Sequence, residues 1–448
     1  MAGGHKRKMG DIVCKFGGSS LADANQIRKV GEIVDANPKR RFIVVSAPGK
    51  RHNKDDKVTN LLYQCHEAAR RGNDITPTFR RVVERYETIA KNLGLCGVSE
   101  WLVELHDHIS NMSFTRVSRD WLASRGEYLC AKLVAAYLKA TFVDAGDGIF
   151  VESDGSLIEE QTYNALGKLL SGGGRYVIPG FYAAKPSGGI STFARGGSDI
   201  TGSIVARAVK AEVYENWTDV PGILMADPNI VKNAQPILEL TYGEMRELAY
   251  MGATALQHDA VFPVREASIP IHICNTNDPK SPGTWIFRER DPSHTPQVVV
   301  GVSGLKGYSV ILVKQPLMTQ EGGHGLRVLE ALHRHGVRHE HAPSSIDSMS
   351  VIVKDEELQG KEKALLRDIQ QFGAVETVKV MPDLALIAVV GLGMAHRAGI
   401  AARVFGALAK ARVNIRMINQ SASEINIMVG VVEEDFEKAI RAIYREFA

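Results

Sequence analysis

Up to about residue 295, short and continuous apolar runs alternate with helical periodicity, and this alternation restricts the fold more than any other feature. Phe42 to Val45, Val177 and Ile178, and Val213 to Tyr214 are apolar on successive positions, as strands covered on both faces must be, and Ile269 to Ile273, interrupted by His272, is read as a buried strand with them. Between them Val82, Tyr86, Ile89 and Leu93 repeat at the spacing of one helix face, and Leu129, Leu133 and Tyr137 do the same. Helices on both sides of a largely parallel sheet are expected, an α/β sandwich. A polar, proline-bearing stretch, Asp291 to Pro296, then reads as a linker.

Beyond the linker lies a weak internal repeat. Strand Tyr308 to Val313, helix Gly325 to His335 and strands around Val337 and Met349 to Val353 are echoed by strand Leu384 to Val390, helix Ile400 to Ala411 and strands around Val413 and Ile425 to Val429. Two copies of one small α+β domain follow from such repetition. The second copy ends in a helix, Asp435 to Phe447, with no room for a final strand, so one copy is expected to borrow a strand, with Val298 to Val302 the candidate.

Composition narrows the function classes. In 448 residues, Lys+Arg 54 against Asp+Glu 51 leaves +3, too small and too dispersed for a nucleic-acid surface. No apolar stretch approaches the ~20 residues of a membrane span, and Met1 to Asp11 is basic without an apolar leader core. Cys14, Cys65, Cys96, Cys130 and Cys274 are odd in number and form no C-x-x-C, which favours a reducing cytoplasm over disulfides or zinc.

Chemistry is signalled at two glycine corners. Lys15-Phe16-Gly17-Gly18-Ser19-Ser20 follows the apolar run Ile12 to Cys14 and precedes a helical stretch. Phe193-Ala194-Arg195-Gly196-Gly197-Ser198-Asp199 also opens a helix. Glycines let backbone N–H groups close on an anion, a helix start adds partial positive charge, and Lys15 brings a full one. Gly172 to Gly174 lack the G-K-[ST] of a P-loop and read as a turn before a strand, and His333, His335, His339 and His341 lack a metal-ligand motif.

CKFGGSS (Cys14 to Ser20), FARGGSD (Phe193 to Asp199) and WTDVPGI (Trp217 to Ile223), in that order and followed by the paired tail, closely resemble the aspartokinases. The resemblance implies an amino acid kinase three-layer sandwich with a mainly parallel sheet over 1–295. Two α+β ACT (ferredoxin-like) domains would follow at 303–380 and 381–448. It implies transfer of a phosphoryl group from ATP, with Mg²⁺, to the side-chain carboxylate of L-aspartate, the entry to lysine, threonine and methionine synthesis. A carboxylate is already ionised at pH 7 and needs no general base, so catalysis must come from positioning and charge neutralisation.

The same resemblance distributes the roles. Lys15 with Gly17, Gly18 and Ser19 would hold the transferring phosphoryl group, with Asp199 near the magnesium, and an N-cap is the plainer use of that aspartate. Thr218, Asp219 and Leu224 would line the nucleotide. Arg195, whose guanidinium fork matches a carboxylate, would grip aspartate together with Thr59, Glu127, Phe181 and Ser198. Glu127, read as standing at a helix start, would pair with the substrate ammonium. Two cationic nucleotide contacts common among aspartokinases are replaced by Asn229 and Thr254, and Lys232 is a candidate substitute. Gln257 to Ala260 resembles a lysine-sensitive branch. In the first ACT copy Met318, Gly323, His324 and Gly325, with Ser344, Ser345 and Asp347, would hold an amino-acid effector, lysine first and threonine as the other candidate. A homodimer or homotetramer through the ACT domains is implied. The competing readings are another amino acid kinase and, from a different class, an ACT amino-acid sensor with a catalytically impaired kinase domain.

Overall fold

The computed structural model describes residues 10–111, 118–194, 196–253, 258–290, 297–316, 323–372 and 375–448. The linker stretch 291–296, Arg195, Thr254, Gln257 and Met318 lie outside them. The chain divides into two compact units, one of Met1–Ile223, Pro236–Met245 and Thr254–Arg290, the other of Leu224–Gln235, Arg246–Ala253 and Asp291–Ala448.

The first unit contains strands β1 (Ile12–Phe16), β2 (Arg40–Val45), β3 (Thr141–Phe142), β4 (Tyr176–Pro179), β5 (Tyr182–Ala184), β6 (Ile190–Thr192), β7 (Val213–Thr218), β8 (Glu239–Thr241), β9 (Ile271–Asn275) and β10 (Thr284–Phe287). Eight of them form one sheet in the order β3-β4-β2-β1-β7-β9-β10-β8, with β5 and β6 a separate hairpin. Within the eight-stranded sheet, among the described residues, only the β9–β10 pair is antiparallel. The accompanying helices are α1 (Ala24–Asp35), α2 (Val58–Arg70), α3 (Thr76–Leu93), α4 (Val98–Asn111), α5 (Arg119–Leu138), α6 (Ala145–Gly148), α7 (Glu159–Leu169), α8 (Gly197–Ala208), the first turn of α9 (Tyr242–Tyr250), whose residues from Arg246 on belong to the second unit, and α10 (Phe262–Glu266). Ile12, Cys14 and Phe16 of β1 and Ile43 and Val45 of β2 build a core with apolar side chains of α1 to α5. Lys15 points to the opposite face, where α8 lies.

Local sequence sets the helix ends. The Asp23 side chain accepts the Asn25 and Gln26 N–H groups at the start of α1, Ser118 caps α5 through the Trp121 N–H, and Gly94, at φ 70°, ends α3. Glu127 is therefore not at a helix start, because α5 begins at Arg119, more than two turns earlier.

In the second unit β11 (Gly301–Lys314), β12 (Ser348–Lys354), β13 (Thr377–Val390), β14 (Met417–Gln420) and β15 (Asn426–Val432) form one sheet in the order β12-β11-β13-β15-β14. Helices α11 (His324–Arg334), α12 (Asp355–Leu358), α13 (Glu362–Gln370), α14 (Ile400–Lys410) and α15 (Phe436–Phe447) flank it. β11 and β13 each serve both repeats. Gly301–Leu305 pairs with Val390–Leu386 in the second copy, whereas Val310–Lys314 pairs with Met381–Thr377 and with β12 in the first. The borrowed strand is thus the first half of β11. The strand expected around Val337 is reduced to isolated bridges at His341 and Ser344, and the one expected around Val413 forms at β14. Each copy has its own core, around Ile311, Val328 and Leu365 in the first and around Val389, Val404 and Ile440 in the second.

Candidate active site

From β1 the chain crosses to β2 on one side, and later returns as β7 on the other. The order reverses between β1 and β7, and in open α/β sheets ligands bind outside the carboxyl ends of strands at such a point. Both ends carry expected site residues. Gly17, just past β1, donates its N–H to the Trp217 carbonyl at 3.0 Å, and Gly18 and Ser19 lie in a 3-10 turn, Gly18–Leu21. Thr218 closes β7, and its hydroxyl donates to the Asp219 carboxylate at 3.2 Å.

Lys15 and Asp199 meet at this point, 2.6 Å apart, both largely shielded from solvent. Asn216 of β7 donates to the same Asp199 oxygen at 2.8 Å. The motif reading passed over Asn216, although a polar residue inside an apolar strand was its signal. Asp199 does not cap α8. The cap is Gly196, at φ 77°, and Asp199 stands in the first turn with its side chain turned to Lys15. On the other face of the same strands Glu215 accepts from Cys14, Trp217 and, through both oxygens, Arg40. Burial foremost, then the Glu215 charge, pushes the Cys14 thiol up, so it donates as a neutral S–H.

Close backbone approach explains several glycines. A Cβ on Gly180 would stand 2.6 Å from the Ser198 hydroxyl, and one on Gly197 2.7 Å from the Phe181 ring. These gaps bring Ser198 and Phe181 together at the start of α8. Phe181 takes φ 80°, rare for a residue with a Cβ, and its N–H is bound by the Thr201 hydroxyl at 3.1 Å. Such retained strain clusters at functional positions.

Glu127 is 5% exposed, with one carboxylate oxygen unpartnered. Burial pushes its carboxyl up to about 8, against the Ala47 amide that donates to it. Thr59 lies half-buried in the first turn of α2. A carboxylate desolvated without a cation is a receptor for one.

Not every expected residue joins this site. Leu224, Asn229 and Lys232 fall in the second unit, Leu224 packed against the core of the second repeat and Asn229 folded onto the Asp227 carboxylate. In the first repeat Gly323, at φ 90°, opens α11, which carries buried His324 and Gly325. Asp347 is held by its carbonyl to the Gln315 N–H at 3.0 Å, which puts it at the same end of the repeat, and Ser344 and Ser345 are exposed nearby in sequence.

The amino acid kinase family profile matches residues 12–275, and an ACT domain profile matches 387–447. Aspartokinase 3 of Bacillus subtilis (strain 168) is 40% identical over 450 residues, covering 97% of this chain and 98% of that one. The chain belongs to the aspartokinase family. A crystal structure of Clostridium acetobutylicum aspartate kinase aligns with TM-score 0.88 and 42% identity over 98% of this chain and all of that one, 100%. E. coli aspartokinase III, solved with aspartate and ADP, shares the fold at TM-score 0.74 and 24% identity, covering 97% and 99%. A second structure of that enzyme contains lysine and aspartate and aligns at TM-score 0.73. The activity of this chain is that of an ATP-dependent aspartate kinase, with a regulatory ACT region.

Proposed function

We propose that phosphoryl transfer from ATP to L-aspartate takes place at the β1–β7 switch point, with Lys15 neutralising the charge of the phosphoryl group in flight. The observation that carries this is the Lys15–Asp199 pair at 2.6 Å beneath the Gly17-Gly18 turn, where a shielded ammonium is aimed by a carboxylate and by Asn216. Gly17, Gly18 and Ser19 receive the phosphates, and Thr218 and Asp219 the nucleoside. Glu127 receives the substrate ammonium on its unpartnered oxygen, Arg195 the α-carboxylate, and Thr59, Phe181 and Ser198 complete the aspartate pocket. The acceptor carboxylate needs no base, so these groups bind, orient and exclude water.

Among the described residues no three His, Cys, Asp or Glu side chains group as a metal site. A lone Asp199 fits an ion that arrives on the nucleotide, as Mg²⁺ does. Mg²⁺ would offset phosphate charge, and Asp199 is the residue to face it. The ACT region takes lysine as feedback effector at Gly323 to Gly325 and Asp347, with Met318, Ser344 and Ser345 beside it, and pairs with a second copy of the chain as a dimer or tetramer. The product feeds lysine, threonine and methionine synthesis in the cytoplasm. An aspartate-dependent hydroxamate assay with MgATP, repeated with lysine and with threonine, tests the reading. Absence of hydroxamate from folded protein would leave an amino-acid sensor in its place.

A further inference from the structure

Between β2 and α2 the chain runs through residues 46–57 without regular structure, and this loop touches the candidate site at several points. The Ser46 N–H donates to the Phe16 carbonyl at 3.2 Å, and the Ala47 amide donates to Glu127. The Gly49 N–H donates to the Gly18 carbonyl at 2.8 Å, so closely that a Cβ on Gly49 would stand 2.6 Å from Gly18. The loop then leads into Thr59. A loop of this length without internal structure needs something to fix it.

The fixing group comes from α3. Arg85, 4% exposed, donates to the Gly49 carbonyl at 2.7 Å, to the Asp55 carboxylate at 2.6 Å and to the Asp56 carbonyl at 3.3 Å. Asp55, 8% exposed, also accepts from Arg51 through both oxygens, at 2.8 and 3.1 Å, and from the Arg51 N–H at 3.0 Å. One guanidinium therefore grips the loop at both ends. A buried ion pair is seldom worth more stability than an apolar pair of the same volume, so its presence here needs another reason. Arg81 and Asp56 pair across the same two elements at the surface, where such a contact contributes little.

We propose that Arg85 and Asp55 are positioning residues for phosphoryl transfer, holding the 46–57 loop so that Gly49 braces the phosphate turn at Gly18 while Ala47 aims Glu127. The proposal rests on the site assignment given above. Neither residue touches the reactants, and each acts through the loop. The Arg51 hydrogen bonds hold the Asp55 carboxyl well below the usual carboxylate range, so the clamp stays charged across the working pH.

The test is steady-state kinetics on the full chain carrying Arg85→Lys, Asp55→Asn or, as a surface control, Arg81→Ala. A loop displaced by a fraction of an ångström should lower kcat about 10- to 100-fold and raise aspartate KM about fivefold. ATP KM should rise less than aspartate KM, because the loop reaches the nucleotide only through the Gly18 turn, while Thr218, which closes β7, and Asp219 just past it stand off the loop. Arg81→Ala should match wild type. Ethylguanidine added to Arg85→Ala should restore kcat where sodium chloride of equal ionic strength does not, a response that general loosening would not give. Should Arg85→Lys not fold, Asp55→Asn decides alone, since it conserves shape. Folded variants with all three constants within twofold of wild type overturn the proposal, as does an equal rise in both KM values without rescue. Glu127→Gln measured alongside separates the two readings: an unchanged aspartate KM there refutes the site assignment, whereas an altered one with a silent Arg85→Lys refutes the clamp alone.

Discussion

Replacing Glu127 by glutamine should abolish a proton linkage in aspartate binding. Burial holds the carboxyl at about 8, where a solvated glutamate titrates near 4.5. The ionisable groups that face it, Tyr63, Tyr86 and Cys130, are themselves raised by burial and remain neutral, so among the described residues no cation stabilises the ionised form. At pH 7 a carboxyl titrating at about 8 is ionised in about one molecule in eleven. Binding a substrate ammonium must therefore expel about 0.9 proton, and affinity sits about tenfold below its plateau. Aspartate KM should rise roughly 25-fold between pH 8.5 and pH 6.5 in the wild type. In Glu127→Gln it should be high and flat across that interval. Calorimetry in two buffers of different ionisation enthalpy counts the protons directly. Release of fewer than about 0.2 proton by the wild type at pH 7, or the same slope in the variant, refutes the reasoning.

The unliganded protein carries the complementary signature. A carboxyl whose folded pKa lies above its unfolded one contributes stability that is complete below about 4.5 and lost as the pH rises through about 8. The loss has an upper bound of roughly 5 kcal/mol, reached above that window. Glutamine copies the neutral acid. Glu127→Gln should thus melt near the wild type at pH 5 and above it at pH 8.5.

Lys15→Ala should lower kcat on the order of 100-fold or more while changing aspartate KM little, as loss of a transition-state contact worth ~3 kcal/mol requires, and a fall below tenfold in folded protein would refute its role. Glu215→Ala strands the Arg40 guanidinium and the Cys14 and Trp217 donors and should destabilise the first unit by ~3–5 kcal/mol in thermal melts; a melt within a degree of wild type would show that the network carries no stability. Asp347→Ala should raise the lysine concentration for half-inhibition by tens of fold at nearly unchanged basal kcat, and abolish the rise in melting temperature that lysine should give the wild type; a wild type that lysine neither inhibits nor shifts would refute the effector assignment.

How far such features can be read from sequence depends on whether they are local. The Lys15 turn and the Asp199 turn are each a few contiguous residues, and their meeting follows from a parallel sheet in which β1 and β7 become neighbours. Arg85 was also visible in part, for it sits three residues after Val82 and four before Ile89, on the buried stripe of α3. A charge on an apolar stripe demands a buried partner, but nothing in the sequence says that Asp55 supplies it. The start of α5 was misread for a related reason: Leu122 to Glu127 is buried at every position, and a helix enclosed on all sides has no polar face to mark its ends.

Contiguity misleads most at residues 224–235. Leu224 follows the WTDVPGI motif directly, and motif reasoning assigns it to the nucleotide with Thr218 and Asp219. In the fold the backbone of this segment is tied elsewhere: Met225 accepts the Val302 N–H at 2.7 Å, the Ile230 carbonyl accepts from Arg441, and the Gln235 N–H donates to the Tyr444 hydroxyl. Ala226 and Ala234 are buried with Val389 and Ile440 in the second repeat. The partners lie between 77 and 211 residues away, and no window of sequence contains both ends of such a contact. A segment expected to contact nucleotide is thus packed as part of the regulatory unit. Its hydrogen bonds run to α15 and to β11, so its place in the fold is set by the last helix and the sheet of that unit and not by the motif that precedes it in sequence.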